Sequence, residues 1–259
     1  MHTYWLREHH IAGAYIPLAV RPDDFSRVAL NLPRMGFSGA NVTIPHKEAA
    51  FALAATLDED AKATGAVNTL IFADEKIHGR NTDALGFAAS LKAGLGPDAA
   101  RRGPAVVLGA GGAARAIVLA LIREGALEIR LVNRTKARAE ALAASFPGQK
   151  IRVNEWGDWP KNFSDAQLLV NTTSLGMKGK DALEISLDDL RPTAAVTDIV
   201  YNPLETDLLR RAKARGHATV DGLGMLMHQA VPAFAAWFGV TPEVTPALRA
   251  VLVEALARG

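Results

Sequence analysis

The 259-residue sequence contains no cysteine, which excludes disulfides, thiolate metal sites and a cysteine nucleophile. Aromatic residues make up only 6% of the chain, but 49% of the residues are hydrophobic, which excludes a disordered protein. The net charge is +2 and no block of like charges forms a basic arm, so nucleic acid is not an expected partner. The longest apolar stretch, residues 105–122, is interrupted by Arg115 and three glycines and is not expected to span a membrane.

The first ten residues, MHTYWLREHH, are polar and aromatic and do not resemble a signal peptide. Together with the lack of a membrane-length apolar run, they predict a cytoplasmic protein whose partner is a small-molecule substrate. The length suits one large domain or two modest ones. The oligomeric state is left open by the sequence.

Short β-branched runs alternate with Ala- and Leu-rich helical stretches, a pattern typical of an α/β fold. In the first part of the chain, strands are predicted at 14–20, at 38–44 and twice within 64–81, with a helix beginning at Pro45. The segment AGLGPDAARRGP, residues 93–104, is rich in glycine and proline and is the best candidate for a domain boundary.

The second part has the order of a doubly wound parallel sheet. A buried strand, PAVVLG, leads into a helix and then into a second strand, LEIRLVN. Further strands are predicted at 166–171, 194–200 and 217–222, with helices between them. The last helix, TPALRAVLVEALAR, has no local feature that assigns it to either part.

A glycine-rich loop, GAGGAARA, joins the first strand of the second part to its helix. Gly109, Gly111 and Ala114 fit the pattern G-x-G-x-x-G/A of dinucleotide-binding folds. Gly109 would permit the tight turn, and Gly111 would let the backbone approach a pyrophosphate at the helix N-terminus. A tight turn without a ligand is the alternative, but the flanking strand and helix favour the dinucleotide site.

The next strand leads into NRTKAR, residues 133–138. An NAD site usually has an acidic residue here that binds the ribose 2′-hydroxyl. This chain has Asn133 and Arg134 instead, with Lys136 and Arg138 close behind. Arginine can bind a phosphate with two hydrogen bonds or stack on adenine, so the cations indicate NADP. A solvated basic start to a surface helix is the alternative.

Polar residues follow the predicted strands of the first part, and the set comprises Asn41, Thr43, Lys47, Asn68, Thr69, Asn81, Thr82 and Asp83. Taken singly, Asp83 is explained as a helix cap, Asn68 as a turn or core residue and Lys47 as a solvated residue. Lys47 nevertheless lies in the first turn of a predicted helix, where a positive charge is unfavourable. Because open α/β sheets bind ligands at the carboxyl ends of their strands, the set predicts a site for a hydroxyl-rich carboxylate.

Eight motifs in order span nearly the whole chain: NVTIPHK, GAVNT, GRNTDALGF, GAGGAARA, NRTKAR, NTTSLGM, DIVYNP and DGLGMLMHQA. They closely resemble those of the shikimate dehydrogenases. The resemblance implies NADP-linked interconversion of shikimate and 3-dehydroshikimate in aromatic amino acid biosynthesis. It also implies a substrate-binding domain of residues 1–84, completed by a C-terminal helix within 240–259, and a Rossmann-like NADP-binding domain of residues 85–239.

By the same resemblance, Lys47 and Asp83 form the catalytic pair. The substrate-binding positions are Thr43, Asn68, Asp83, Tyr201 and Gln229. The cofactor-binding positions are Gly109, Ala110, Gly111, Gly112 and Ala113 at the pyrophosphate, Asn133, Arg134, Thr135 and Arg138 at the 2′-phosphate, and Ile199 and Gly222 near the nicotinamide. A lysine ammonium suits the reduction of a carbonyl, because the ammonium can give the developing alkoxide oxygen a proton or stabilise its negative charge. Both roles stay open. The seven histidines show no metal-ligand spacing, and no metal is predicted.

The family usually begins with a strand and a Ser-x-Ser-Pro turn that binds the substrate carboxylate. Residues 1–18 resemble the helix that follows this turn, so about twenty residues are expected to be absent and weaker substrate binding is expected. Two other functions remain open. An NAD-linked quinate/shikimate dehydrogenase would require an acidic residue near NRTKAR, and a non-catalytic NADP-binding regulatory protein would tolerate loss of Lys47 or Asp83.

Overall fold

The computed structural model describes residues 1–258, and Gly259, at the end of the predicted C-terminal segment, lies outside the described residues. The chain divides into two compact units. The first unit comprises Met1–Asp83 and Gln229–Leu252, and the second comprises Ala84–His228 with the residues from Val253 onward. Both units combine helices with a sheet, so the predicted α/β class is confirmed.

The first unit is built around a mostly antiparallel sheet. Its elements before the boundary are α1 (His2–Glu8), α2 (Phe25–Asn31), β1 (Gly39–Asn41), α3 (Lys47–Leu53), β2 (Thr56–Leu57), α4 (Glu59–Thr64), β3 (Thr69–Ala73) and β4 (Lys76–Arg80). The strand order is β1-β3-β4-β2. A two-residue turn joins β3 to β4, and its Asp74 and Glu75 have positive φ angles of 51° and 58°, as a tight hairpin requires.

Local signals set the ends of the short helices in this unit. Asp58 precedes α4, and its side chain accepts a hydrogen bond of 2.7 Å from the Ala61 amide, a typical N-cap. Gly65 ends the helix in the left-handed conformation. Apolar side chains from three helices, the sheet and the segments that flank its strands form the core, which consists of Phe25, Ala29, Val42, Ala50, Ala61, Val67, Leu70 and Ile77.

The strand predicted at 14–20 is wrong, because no residue of that segment belongs to a strand. Tyr15, Ile16 and Leu18 are exposed, and the Tyr15 hydroxyl donates to Asn41 Oδ1 at 3.0 Å. The segment has the composition of a strand, but a strand also needs a neighbouring backbone to pair with. Among the described residues, β1 at the end of the sheet pairs only with β3.

The second unit is a Rossmann-like fold. Its elements are α5 (Asp83–Leu95), β5 (Ala105–Leu108), α6 (Gly112–Arg123), β6 (Ile129–Val132), α7 (Lys136–Ala144), β7 (Ile151–Asn154), α8 (Trp159–Phe163), β8 (Leu168–Asn171), β9 (Ala195–Asp198), α9 (Asp207–Ala214), β10 (Thr219–Val220) and α10 (Gly222–Phe238), followed by α11 (Pro246–Arg258). The strand order is β10-β9-β8-β5-β6-β7, with every neighbouring pair parallel. This is the dinucleotide-fold order, and its four central strands are fully buried, as expected for a sheet covered on both faces.

The limits of the compact units differ from the predicted domain limits within α10 and α11. The second half of α10 belongs to the first unit, because Phe234 packs on Trp5 with ring centroids 5.5 Å apart and Trp237 Nε1 donates to the Leu70 carbonyl at 2.9 Å. Helix α11 is divided after Leu252. In residues 1–258, no helix combines the length and the apolar character that crossing a membrane requires.

Candidate active site

Lys47 and Asp83 form an ion pair in the first unit. Lys47 is the first residue of α3, and its Nζ lies 2.6 Å from Asp83 Oδ2. Asp83 is the first residue of α5, and its backbone amide donates to Asn81 Oδ1 at 3.0 Å. The two side chains are 23% and 10% exposed, so water screens their attraction less than it would at the surface.

Asn68 holds the second oxygen of this carboxylate. Its Nδ2 donates to Asp83 Oδ1 at 2.8 Å and to Thr82 Oγ1 at 3.0 Å, while its Oδ1 accepts from the Thr82 amide at 3.0 Å. The preceding residue, Val67, donates its amide to the Lys47 carbonyl at 2.9 Å, which fixes α3 beside this segment. Asp83 is therefore held on one side by a cation and on the other by a buried amide.

Gln229 joins the same cluster from α10. Its Oε1 accepts from Asn68 Nδ2 at 3.3 Å, and its backbone carbonyl accepts from Thr82 Oγ1 at 2.7 Å. Lys47, predicted as catalytic, therefore lies together with three predicted substrate-binding residues: Asn68, Asp83 and Gln229. Thr82 belongs to the predicted polar set but not to the positions that the family resemblance implies, and its hydroxyl links Asn68 to Gln229.

Among the described residues, the other two predicted substrate-binding residues, Thr43 and Tyr201, form no hydrogen bond with this cluster. Thr43 is exposed on the loop between β1 and α3, and within residues 1–258 its side chain forms no hydrogen bond. Tyr201 belongs to the second unit, on the loop after β9, and is 38% exposed. The structure therefore does not include Thr43 in the hydrogen-bonded cluster.

The glycine loop of the second unit leaves the start of α6 open. Gly109 has a φ of 111°, and a Cβ there would lie 2.6 Å from Thr172 Oγ1, so this position requires glycine. A Cβ added at Gly111 or Gly112 would meet no described atom within 4 Å. Within the described residues, no side chain caps the start of the 12-residue helix α6, and the first amides of a helix attract anions such as phosphate.

The basic segment after β6 has two open guanidinium groups. Lys136 is paired with Glu155, with Nζ and Oε1 2.6 Å apart, and Asn133 Nδ2 donates to the Thr135 carbonyl at 2.8 Å. Arg134 and Arg138 are exposed, and neither guanidinium group forms a hydrogen bond or ion pair within the part of the chain that the structure describes. Two free guanidinium groups suit a phosphate, which accepts several charge-assisted hydrogen bonds.

The loop after β9 contains the residues predicted to lie near the nicotinamide. Gly222, the first residue of α10, packs directly on this loop, because a Cβ there would lie 2.2 Å from the Ile199 carbonyl oxygen. The structure thus brings Ile199 and Gly222 into contact, and any side chain at position 222 would push the two segments apart.

Asp198, the last residue of β9, holds this loop through hydrogen bonds of its side chain. Its carboxylate is buried and accepts hydrogen bonds from Asn171 Nδ2 at 3.0 Å, the Val200 amide at 3.0 Å and Thr206 Oγ1 at 2.8 Å. Burial raises the pKa of Asp198 to about 6, and the three hydrogen bonds oppose this rise. In residues 1–258, no group of three or more His, Asp or Glu side chains is arranged to hold a metal ion.

Comparison with known proteins identifies the family of this chain. Three family descriptions match: the shikimate dehydrogenase substrate binding domain over residues 1–70, shikimate/quinate 5-dehydrogenase over 97–178 and the shikimate 5′-dehydrogenase C-terminal domain over 222–252. A shikimate dehydrogenase (NADP(+)) of Methylobacterium radiotolerans is 55% identical over 260 residues, which cover 99% of this chain and 92% of the relative. The chain belongs to the shikimate dehydrogenase family. The resemblance drawn from the eight motifs is thereby confirmed.

Solved structures similar to this family member differ in ligand. Shikimate 5-dehydrogenase of Thermus thermophilus, in complex with NADP(H) and shikimate, is 36% identical with a TM-score of 0.85, covering 99% of this chain and 92% of that chain. A quinate dehydrogenase of Corynebacterium glutamicum, in complex with NAD, is 30% identical with a TM-score of 0.84, covering 97% and 92%. The same fold is therefore found with either cofactor.

Proposed function

We propose that this shikimate dehydrogenase family member is an NADP-dependent oxidoreductase that interconverts 3-dehydroshikimate and shikimate. The observation that carries the proposal is the partly buried ion pair between Lys47 and Asp83, held by Asn68 and Gln229. An ammonium fixed in this way, in a family of shikimate dehydrogenases, has the chemistry that carbonyl reduction requires. In this proposal the first unit binds the substrate and the second binds NADP. The cytoplasmic location stays a prediction.

The ammonium of Lys47 acts on the substrate oxygen. Bound NADPH supplies the hydride, and the carbonyl oxygen of the substrate then gains negative charge. In this proposal Lys47 stabilises that charge or gives the oxygen a proton. The 2.6 Å contact with Asp83 holds the ammonium in one orientation, so little reorganisation is needed during the reaction.

Asp83, Asn68 and Gln229 complete the recognition of a hydroxylated ring. Each oxygen of Asp83 accepts one hydrogen bond in the cluster, and a carboxylate has further lone pairs for a substrate hydroxyl. The amides of Asn68 and Gln229 add both donors and acceptors. In this proposal Thr43 and Tyr201 bind substrate as well, a role that rests on the family motifs.

The second unit provides the groups that fit NADP. Gly109 makes the turn, its amide bound to the Val132 carbonyl at 2.9 Å, and the amides from Ala110 to Ala113 around the start of α6 suit the pyrophosphate. Arg134 and Arg138 are free to bind the 2′-phosphate, with Asn133 and Thr135 shaping the turn between them. Ile199 and Gly222 form the close contact at the predicted nicotinamide end.

An absorbance assay at the reduced-nicotinamide band tests the proposal. Shikimate and quinate are each offered with NADP and with NAD. We expect turnover to be fastest with shikimate and NADP. Faster turnover with NAD and quinate would favour the NAD-linked alternative. Binding of NADP without any turnover would favour the non-catalytic alternative.

Arg134→Ala tests the cofactor assignment separately. The loss of a charge-assisted bond to a phosphate should weaken NADP binding by about tenfold or more and leave NAD binding nearly unchanged. Equal losses for both cofactors would contradict the assignment of Arg134 to the 2′-phosphate.

A further inference from the structure

The register of the parallel sheet brings a second segment beside the basic cluster. β6 and β7 are neighbours, and their last paired residues are Val132 and Asn154. The two strands leave the same end of the sheet, so the residues two positions further on, Arg134 and Trp156, emerge side by side. They are separated by a helix and a strand in the sequence, and only the strand pairing places them together.

Trp156 lies under the Arg134 guanidinium. Arg134 Cζ is 5.6 Å from the centroid of the Trp156 ring, within the range of a cation–π contact. The ring itself is half-buried, lies edge-on to Trp159 at 5.3 Å between centroids and packs against the core of the second unit. The indole is therefore a fixed support for a side chain that is otherwise exposed and free.

Glu155, the residue before Trp156, acts on a different cation of the cluster. Its carboxylate binds Lys136, with Nζ and Oε1 2.6 Å apart. Lys136 is therefore already paired with a carboxylate, whereas the guanidinium groups of Arg134 and Arg138 have no carboxylate partner among the described residues. The segment after β7 thus contacts two of the three cations that follow β6.

We propose that Trp156 is a positioning residue for cofactor selection: its ring holds the Arg134 guanidinium ready for the 2′-phosphate, and so favours NADP over NAD. The inference rests on the proposed assignment of Arg134 to that phosphate. A free arginine side chain loses much rotamer freedom when it binds, whereas one already held on a ring loses less. Because NADP has the 2′-phosphate and NAD does not, the resulting gain in binding affinity applies to NADP alone.

Calorimetric titration of four ligands tests this role: NADP, NAD, 2′,5′-ADP and 5′-AMP. Trp156→Leu keeps apolar bulk against the core but removes the aromatic face. We expect it to weaken NADP and 2′,5′-ADP by about two- to fivefold, the range of an exposed cation–π contact, with NAD and 5′-AMP unchanged. Trp156→Phe should recover most of the loss. Phe163→Leu, a change in the same core at a ring that stacks on Trp159, is the matched control and should leave the NADP-to-NAD affinity ratio unchanged.

The outcomes separate this inference from the assignment on which it rests. If Arg134→Ala weakens NADP but Trp156→Leu does not, or if Trp156→Leu weakens all four ligands equally, the positioning role is overturned. If Arg134→Ala itself leaves NADP binding unchanged, the assignment of Arg134 is wrong and the inference falls with it. In an Arg134→Ala background, Trp156→Leu should have no further effect on the affinity ratio, and a remaining effect would also overturn the inference.

Discussion

Replacing Asp198 with asparagine should change how the stability of the protein depends on pH. The carboxyl of Asp198 is 1% exposed, and burial raises its pKa to about 6 from an ordinary value of 3.8. In the folded protein the group therefore binds its proton more tightly than in the unfolded chain. Its contribution to stability is largest below the unfolded pKa and is lost as the pH rises through the folded one.

The expected magnitude follows from the pKa difference. Roughly two pKa units correspond to a stability difference on the order of 3 kcal/mol, developed between about pH 4 and pH 7. The asparagine side chain of Asp198→Asn does not titrate, so it makes no such pH-dependent contribution. The amide oxygen can accept from Asn171 and Val200, and its NH₂ can donate to the Thr206 hydroxyl, so the buried hydrogen bonds survive. The variant should therefore gain stability relative to the wild type as the pH rises.

Urea unfolding between about pH 4 and pH 7 measures this difference. The second unit contains Trp156 and Trp159, so tryptophan fluorescence follows it, and two transitions are fitted because the chain has two compact units. Asp165→Asn is the matched control, because the hydrogen bonds from Arg130 lower the pKa of Asp165. The stability that Asp165 contributes is lost only as the pH falls below the ordinary pKa of an aspartate. The difference in unfolding free energy between Asp165→Asn and wild type should therefore stay nearly constant between about pH 4 and pH 7. A difference for Asp198→Asn that is equally constant would refute the reasoning.

Two further predictions concern the first unit. Lys47→Ala should lower kcat by about 10²- to 10⁴-fold, the range for a general acid, with NADP affinity retained. Lys62→Ala, which removes an exposed lysine, is the control. A near-normal kcat for Lys47→Ala would show that the ion pair has only a structural role. Gly39→Ala should destabilise the protein by about 1–3 kcal/mol, because its Cβ would lie 1.9 Å from Trp237 Nε1. Gly13→Ala meets its neighbours at an ordinary 3.5 Å, so equal unfolding midpoints for the two glycine variants would contradict this account.

The Rossmann-like unit could be predicted because the sequence of each strand, taken alone, already indicates a buried strand. Each central strand is a short apolar run, and the glycine loop marks the first crossover. The segment 14–20 has a similar local signal but forms no strand, since pairing depends on a neighbouring backbone that composition does not reveal. The division of α10 between the two units likewise depends on long-range contacts, because Phe234 and Trp237 have partners far away in the sequence.

The site shows the same division between local and long-range information. Motifs identified Lys47, Asp83, Asn68 and Gln229 one by one, and the structure adds the hydrogen bonds that join them. Trp156 gave no signal in the sequence, because an aromatic residue after an edge strand is an ordinary core residue. It becomes informative only when the pairing of β6 with β7 places it beneath Arg134.

The position of Lys47 is itself an argument for its role. As the first residue of α3 it lies at the positive end of the helix dipole, which disfavours a cation by about 0.3–1 kcal/mol. Asp83, as the first residue of α5, lies where a helix dipole favours a carboxylate. The carboxylate, fixed by its own helix and by Asn68, therefore holds an ammonium that α3 alone would disfavour. Residues placed against their local preference are expected where function rather than folding selects them, and this is why Lys47, an ordinary surface residue when taken alone, becomes the strongest catalytic candidate once its partner is located.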